Sequence, residues 1–190
     1  MKKNLEDYVM IYSNLLSPAV CKKTIRELKK ITWEEHHFYS VRNERRFSPS
    51  PGQELLTSHT RDISTHPVIM ESIWKAIHTY IQEDMKFPWF PGWEGYTSVR
   101  WNKYSHNTKM KEHCDFIHSI FDGTRKGIPI LSIVGALNEE YTGGEFIMYR
   151  DKEIKLKTGD ILIFPSTFMY PHRVDPVKKG ARYSYVSWVY

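Results

Sequence analysis

A chain of 190 residues, 41% hydrophobic and 14% aromatic, is long enough to bury one good core and too short for two comfortable ones. Its 27 Lys and Arg against 22 Asp and Glu leave a net charge of +5. That charge is spread in pairs such as Lys22-Lys23, Arg45-Arg46 and Lys178-Lys179 rather than massed in a block, so nucleic acid is not an expected partner. The N-terminal apolar stretch is broken by Glu6, Asp7, Ser13 and Asn14, no window approaches a membrane span, and Cys21 and Cys114 are too few for a disulfide framework. The expectation is one soluble, cytoplasmic domain over residues 1–190, with free thiols, no targeting signal and no membrane partner.

In chain order, Ser17-Pro18 opens a helix that runs to about Ile31, with serine as the capping residue and proline in the first turn. A second helix starts near Pro67, carries Ile69, Ile73, Ile77 and Ile81 at four-residue spacing, and ends before Pro88. Residues 38–58, rich in Arg, Ser and Pro, and the aromatic stretch 87–93 lack periodicity and read as loops, the first a candidate lid. Residues 1–95 thus supply supporting helices and loops. From residue 96 the rhythm changes to short β-branched and aromatic runs: 96–104, 110–116, 129–137, 145–149, 153–156, 161–164, 172–174 and 182–190. Eight short strands parted by glycine turns predict a mainly β fold with flanking helices, its core a sandwich or jelly roll.

Within the run 110–116, strand alternation places His113 and Asp115 on one face and Cys114 on the other. His172 opens another short strand 57 residues later. Two neutral imidazoles and one carboxylate make the facial triad that suits Fe(II) and leave positions open for the keto-acid end of 2-oxoglutarate and for O2. A distal carboxylate then needs a partner, and Arg182, ten residues beyond His172, offers a planar fork for it. Ser184 and Trp188 share the face of Arg182, the first as a hydroxyl donor, the second as a wall that keeps the pocket dry. The histidines at 36, 37, 59, 66, 78, 106 and 118 read as ordinary hydrogen-bonded residues, and Trp89, Trp93 and Trp101 as packing.

The pieces WNKY at 101–104, HCD at 113–115, ALNEEYTGGEF at 136–146, GDILIFPS at 159–166 and PHRVDPVKKGARYSYVSW at 171–188 resemble the catalytic domain of prolyl 4-hydroxylases and their bacterial and viral relatives among the Fe(II)/2-oxoglutarate oxygenases. The resemblance implies a double-stranded β-helix with helices packed on one side and a co-substrate role for Tyr104. It also implies Fe(II), 2-oxoglutarate and O2 as cofactors, with ascorbate an optional addition, and hydroxylation coupled to 2-oxoglutarate decarboxylation. The implied substrate is a prolyl residue in a peptide or protein, docked in an aromatic groove near Trp89, Trp93 and Tyr96. Two alternatives stand beside it: a hydroxylase of a free amino acid or other small metabolite, and a cupin-like binding protein without turnover. Ala136 departs from the tyrosine that many peptidyl prolyl hydroxylases carry there. Trp188 stands where alkylation-repair dioxygenases have a second arginine, which argues against a nucleobase substrate.

Overall fold

The computed structural model describes residues 4–40, 45–88, 92–115 and 129–190, less the side chains of 39, 40 and 45. Among these the fold is mainly antiparallel β. The major sheet has seven strands in the order β1 (Met10–Tyr12), β12 (Ile161–Pro165), β8 (Leu131–Ala136), β15 (Arg182–Val189), β6 (Arg100–Tyr104), β5 (Leu56–Ser58) and β2 (Glu34–Glu35). The minor sheet has four: β11 (Lys152–Ile154), β10 (Phe146–Met148), β13 (His172–Val174) and β7 (Met110–His113). Two hairpins complete it, β3 (Phe38–Ser40) with β4 (Arg45–Phe47) and β9 (Tyr141–Gly143) with β14 (Val177–Gly180). The sheets face each other as the expected double-stranded β-helix.

Both faces of the major sheet are covered, which is why its central strands read as unbroken apolar runs. Ile161 and Ile163 of β12, Ile133 of β8, Trp101 of β6 and Tyr183 and Tyr185 of β15 pack against two helices, α1 (Pro18–Leu28) and α2 (His66–Thr79). Leu162, Phe164, Val134 and Tyr104 point the other way, into the space between the sheets. On β15 the odd positions serve the helix-side core, while 182, 184, 186 and 188 line a cavity between the sheets. Gly135 is required here: it pairs with Tyr185 across the ladder, and a Cβ at that position would lie 1.9 Å from Cζ of the tyrosine ring.

Ser17 caps α1 by accepting from the Val20 amide at 3.3 Å, as its type and place predict. α2 buries Ile69, Ile73 and Ile77 and continues in π-type turns through Tyr80–Met85. An α-helix turns about 100° per residue, so each four-residue step overshoots a full turn by about 40°. The wider π turns rotate less per residue and bring Ile81 and Met85 back onto the buried face. Lys86, at φ 49°, ends the run before Pro88. No helix among the described residues is long and apolar enough to cross a membrane.

Three readings need correction. Residues 38–58 are not simply loop: they contain β3, β4 and β5, and β5 pairs with β6 to place the fully buried Leu55 in the core. Strands of three residues are too short to show a period, and β5 owes its existence to a partner more than forty residues away. β1, β9 and β14, three or four residues each and paired with strands at least 34 residues away, carry no periodic signal either. Trp93 and Tyr96 pack against the helix-side core, with the Tyr96 hydroxyl donating to the Met70 carbonyl at 3.1 Å, so they line no groove at the cavity. Trp101 is fully buried and donates to the Thr60 carbonyl at 2.9 Å, a packing residue as expected. Trp89 and His118 lie outside the described residues.

Candidate metal centre and co-substrate pocket

His113 is the last residue of β7 and His172 the first of β13, and the two are direct cross-strand partners with ring centroids 4.4 Å apart. Each Nδ1 faces a backbone carbonyl two residues earlier, Lys111 O at 2.8 Å and Tyr170 O at 3.1 Å. A carbonyl only accepts, so the proton resides on Nδ1 and the Nε2 lone pair of each ring is left for an electrophile. The two Nε2 atoms look at Asp115, at 3.4 Å from Oδ1 for His113 and 4.0 Å from Oδ2 for His172. Bonds of about 2.0–2.2 Å hold two donors of one ion roughly 3–4.4 Å apart, which these separations match. Among the described residues this trio is the one His, Cys, Asp or Glu cluster whose ligand atoms all lie within 4.8 Å of one another.

Asp115 itself lies past the end of β7, in a bend, so the reading of 113–115 as one strand is corrected. What aims its carboxylate is tertiary: Ser132 Oγ donates to Oδ2 at 2.6 Å, and Trp188 Nε1 donates to the same oxygen at 3.0 Å. With its proton committed to Asp115, Ser132 Oγ accepts from Ser166 Oγ at 2.7 Å. Burial alone would raise the carboxyl's pKa, but the imidazoles of His113 and His172 beside it and the hydrogen bond from Ser132 hold it well below the usual carboxylate range. The same burial, with His113 alongside, pushes His172 down to about 4 and keeps it neutral. Phe146 stacks on the His172 ring at 5.4 Å and Phe164 meets it edge-on at 5.0 Å, which fixes the plane of the imidazole. Cys114 turns away, its Sγ donating to the Phe168 carbonyl.

At the other end of the cavity Arg182 is 3% exposed, donates from Nη1 to Ser184 Oγ at 3.1 Å, and lies over the ring of its cross-strand partner Tyr104 at 5.0 Å. Among the described residues no carboxylate comes within ion-pair distance of it. A buried guanidinium costs free energy unless an anion joins it, so the end of the cavity is built for one. His113, Asp115, His172, Arg182, Tyr104, Ser184 and Trp188 all line one cavity. Sequence reasoning missed Arg100 and Asn102, which line it too; counting back from Tyr104 in steps of two would have found both. Ser132 carried no signal at all, since only the fold brings it to Asp115.

A family description, the 2OG-Fe(II) oxygenase superfamily, matches residues 99–190. This stretch, just under half of the chain, is similar to that superfamily. Curated relatives include a PKHD-type hydroxylase of Xylella fastidiosa (strain M12), 35% identical over 107 residues, and one of Aliarcobacter butzleri (strain RM4018), 36% identical over 96. Those alignments cover 47% and 46% of this chain and only 43% and 41% of the relatives, so the chain matches less than half their length. Among solved structures, a Trichoplax adhaerens prolyl hydroxylase in complex with a hypoxia inducible factor oxygen degradation domain peptide superposes with TM-score 0.71 at 16% identity, over 97% of this chain and 84% of that one. A Pseudomonas putida prolyl-4-hydroxylase gives 0.66 at 17%, over 96% and 91%. At such identities the likeness speaks for the fold, and its coverage shows that the N-terminal half shares it.

Proposed function

We propose that this protein is an Fe(II)- and 2-oxoglutarate-dependent hydroxylase of prolyl residues in a peptide or protein, with residues 1–95 and 96–190 acting as one domain. One observation carries it: a two-histidine, one-carboxylate donor set and a buried guanidinium without a carboxylate face each other across a single cavity. His113, Asp115 and His172 would hold the iron, Arg182 the far carboxylate of 2-oxoglutarate with Ser184 and Tyr104 beside it. Iron bound there supplies O2 activation coupled to loss of CO2 from 2-oxoglutarate, which leaves as succinate while the substrate C–H becomes C–OH. Asp115 stays anionic because of its donors, the His172 imidazole stays neutral, and Phe146, Phe164 and Trp188 exclude water from the reacting atoms. Solved prolyl hydroxylases of the same fold, one with its peptide, support the substrate class. Phe38 of β3 meets the His113 ring edge-on at 5.7 Å, which suits that strand, rather than the whole of 38–58, to cover the substrate. The free thiols Cys21 and Cys114 suit a reducing compartment such as the cytoplasm.

The test is to load the protein with Fe(II) and 2-oxoglutarate and follow succinate, then offer a proline-rich peptide, free proline and a single-stranded oligonucleotide and look for gain of one oxygen. Succinate and an oxidised peptide are expected. Product on free proline alone would replace the peptide reading with the metabolite one, and a protein that binds 2-oxoglutarate but never forms succinate would be a binding module.

A further inference from the structure

The cavity contains a second arginine that the reaction above does not use. Arg100 sits on β6 opposite Val186 of β15, four residues along the strand from Tyr104. Its guanidinium lies over the Trp188 ring at 5.1 Å and its Nε donates to Asn102 Oδ1 at 3.2 Å. Among the described residues no carboxylate reaches ion-pair distance of it. Arg100 is half-buried, and desolvation lowers its pKa, so an anion arriving beside it would be favoured.

Which anion follows from where Arg100 stands. Arg182 stacks on Tyr104 at one end of the face, whereas Arg100 stacks on Trp188, the residue that donates to Asp115. At a rise of about 3.3 Å per residue, the backbones of Tyr104 and Arg100 are about 13 Å apart. A five-carbon dicarboxylate, with bonds near 1.5 Å, spans about 5 Å. The carboxylate anchored at Arg182 and the backbone of Arg100 thus stand at opposite ends of the face. Charge leads to the same place. Of the described residues that line the cavity, two are arginines and one, Asp115, is a carboxylate. Divalent iron and doubly charged 2-oxoglutarate cancel, and Asp115 offsets one arginine, which leaves one positive charge unmet beside the metal ligands.

We propose that Arg100 is a specificity-determining residue and that the substrate carries a carboxylate adjacent to the carbon that is hydroxylated. The proposal rests on the oxygenase reading and narrows its substrate. The carboxylate has two sources: an acidic side chain or chain terminus next to the target residue of a peptide, or the α-carboxylate of a free amino acid.

Two probe pairs distinguish them, acetyl-Pro-Asp-amide against acetyl-Pro-Asn-amide and L-proline against L-prolinamide. Binding is measured by calorimetry on the Zn(II)- and 2-oxoglutarate-loaded protein, and gain of one oxygen is followed on the iron form. The carboxylate member of one pair is expected to bind about tenfold tighter, the lower end of what a close charge pair is worth. Arg100→Gln should erase that difference and Arg100→Lys retain part of it, with 2-oxoglutarate affinity unmoved in both. The pair that shows the preference names the source. No preference in the wild-type protein, or a preference that survives Arg100→Gln, overturns the proposal. So does a loss of 2-oxoglutarate affinity in Arg100→Gln, which would assign the arginine to the co-substrate. Succinate formation with no carboxylate preference removes only this inference, whereas no succinate under any condition removes the oxygenase reading beneath it.

Discussion

Replacing Ser132 by alanine should weaken metal binding although Ser132 touches no metal. In the structure its hydroxyl donates to Asp115 Oδ2 at 2.6 Å, a short bond to an ionised acceptor, and the Trp188 indole donates to the same oxygen at 3.0 Å. Hydrogen bonds to charged groups are worth about 1.5–3 kcal/mol, and at about 1.4 kcal/mol per decade this is a factor of roughly 10 to 100 in affinity. Trp188→Phe removes the other donor while keeping an aromatic ring in the 8% exposed slot, and should cost a similar factor. Because both act on one oxygen, the double variant should lose more than the two single losses combined, leaving Oδ2 without a donor. Ser166→Ala, one bond further out, should cost least. Competition with a fluorescent chelator for Zn(II) gives the dissociation constants, and thermal melts without metal check that each variant folds. Folded Ser132→Ala and Trp188→Phe proteins whose affinity stays within threefold of wild type (less than about 0.7 kcal/mol) would refute the assignment of Asp115 as a ligand aimed by these donors.

Arg182→Ala should weaken 2-oxoglutarate binding by about 2–5 kcal/mol, as a buried carboxylate loses its charged partner, and leave Zn(II) affinity nearly unchanged; equal 2-oxoglutarate affinity would move the anchor to Lys155, which lines the adjoining cavity, or to Lys157, two residues on. Gly135→Ala puts a Cβ 1.9 Å from the Tyr185 ring, so melting temperature should drop by several degrees, about 1–3 kcal/mol, and Gly135→Ala with Tyr185→Leu should recover part of it. Burial pushes His172 down to about 4 and His36 down to about 3, below the roughly 6.5 of an unfolded imidazole. The unfolded chain then takes up protons first, so stability of the metal-free protein is full above about pH 7 and falls as pH drops from about 6.5 toward 4. Denaturant midpoints at a series of pH values measure this; His36→Phe should flatten the slope, and a flat wild-type profile would show the imidazoles are not buried neutral.

How much of this was legible beforehand depends on the range of the interaction that decides each feature. The cap at Ser17, the isoleucine stripe of α2 and the alternation along β15 are local, so the sequence alone determined two helices, a β-rich second half, and the shared face of Arg182, Ser184 and Trp188. Spacing of His113, Asp115 and His172 announced a metal-type donor set for the same reason, since each side chain names its own chemistry. Tertiary structure decided the rest. Strands as short as β1, β2 and β5 bury too little by themselves to exist without the neighbour they pair with. Asp115 lies beyond its strand and is aimed by Ser132 and Trp188, 17 and 73 residues away. Alternation along β6 puts Arg100 on the face of Tyr104, but only the register of β6 against β15 sets it over Trp188 beside the donor set. Hydrogen-bond direction and the field of a buried charge depend on separations in space, and those are fixed only when distant segments fold against one another.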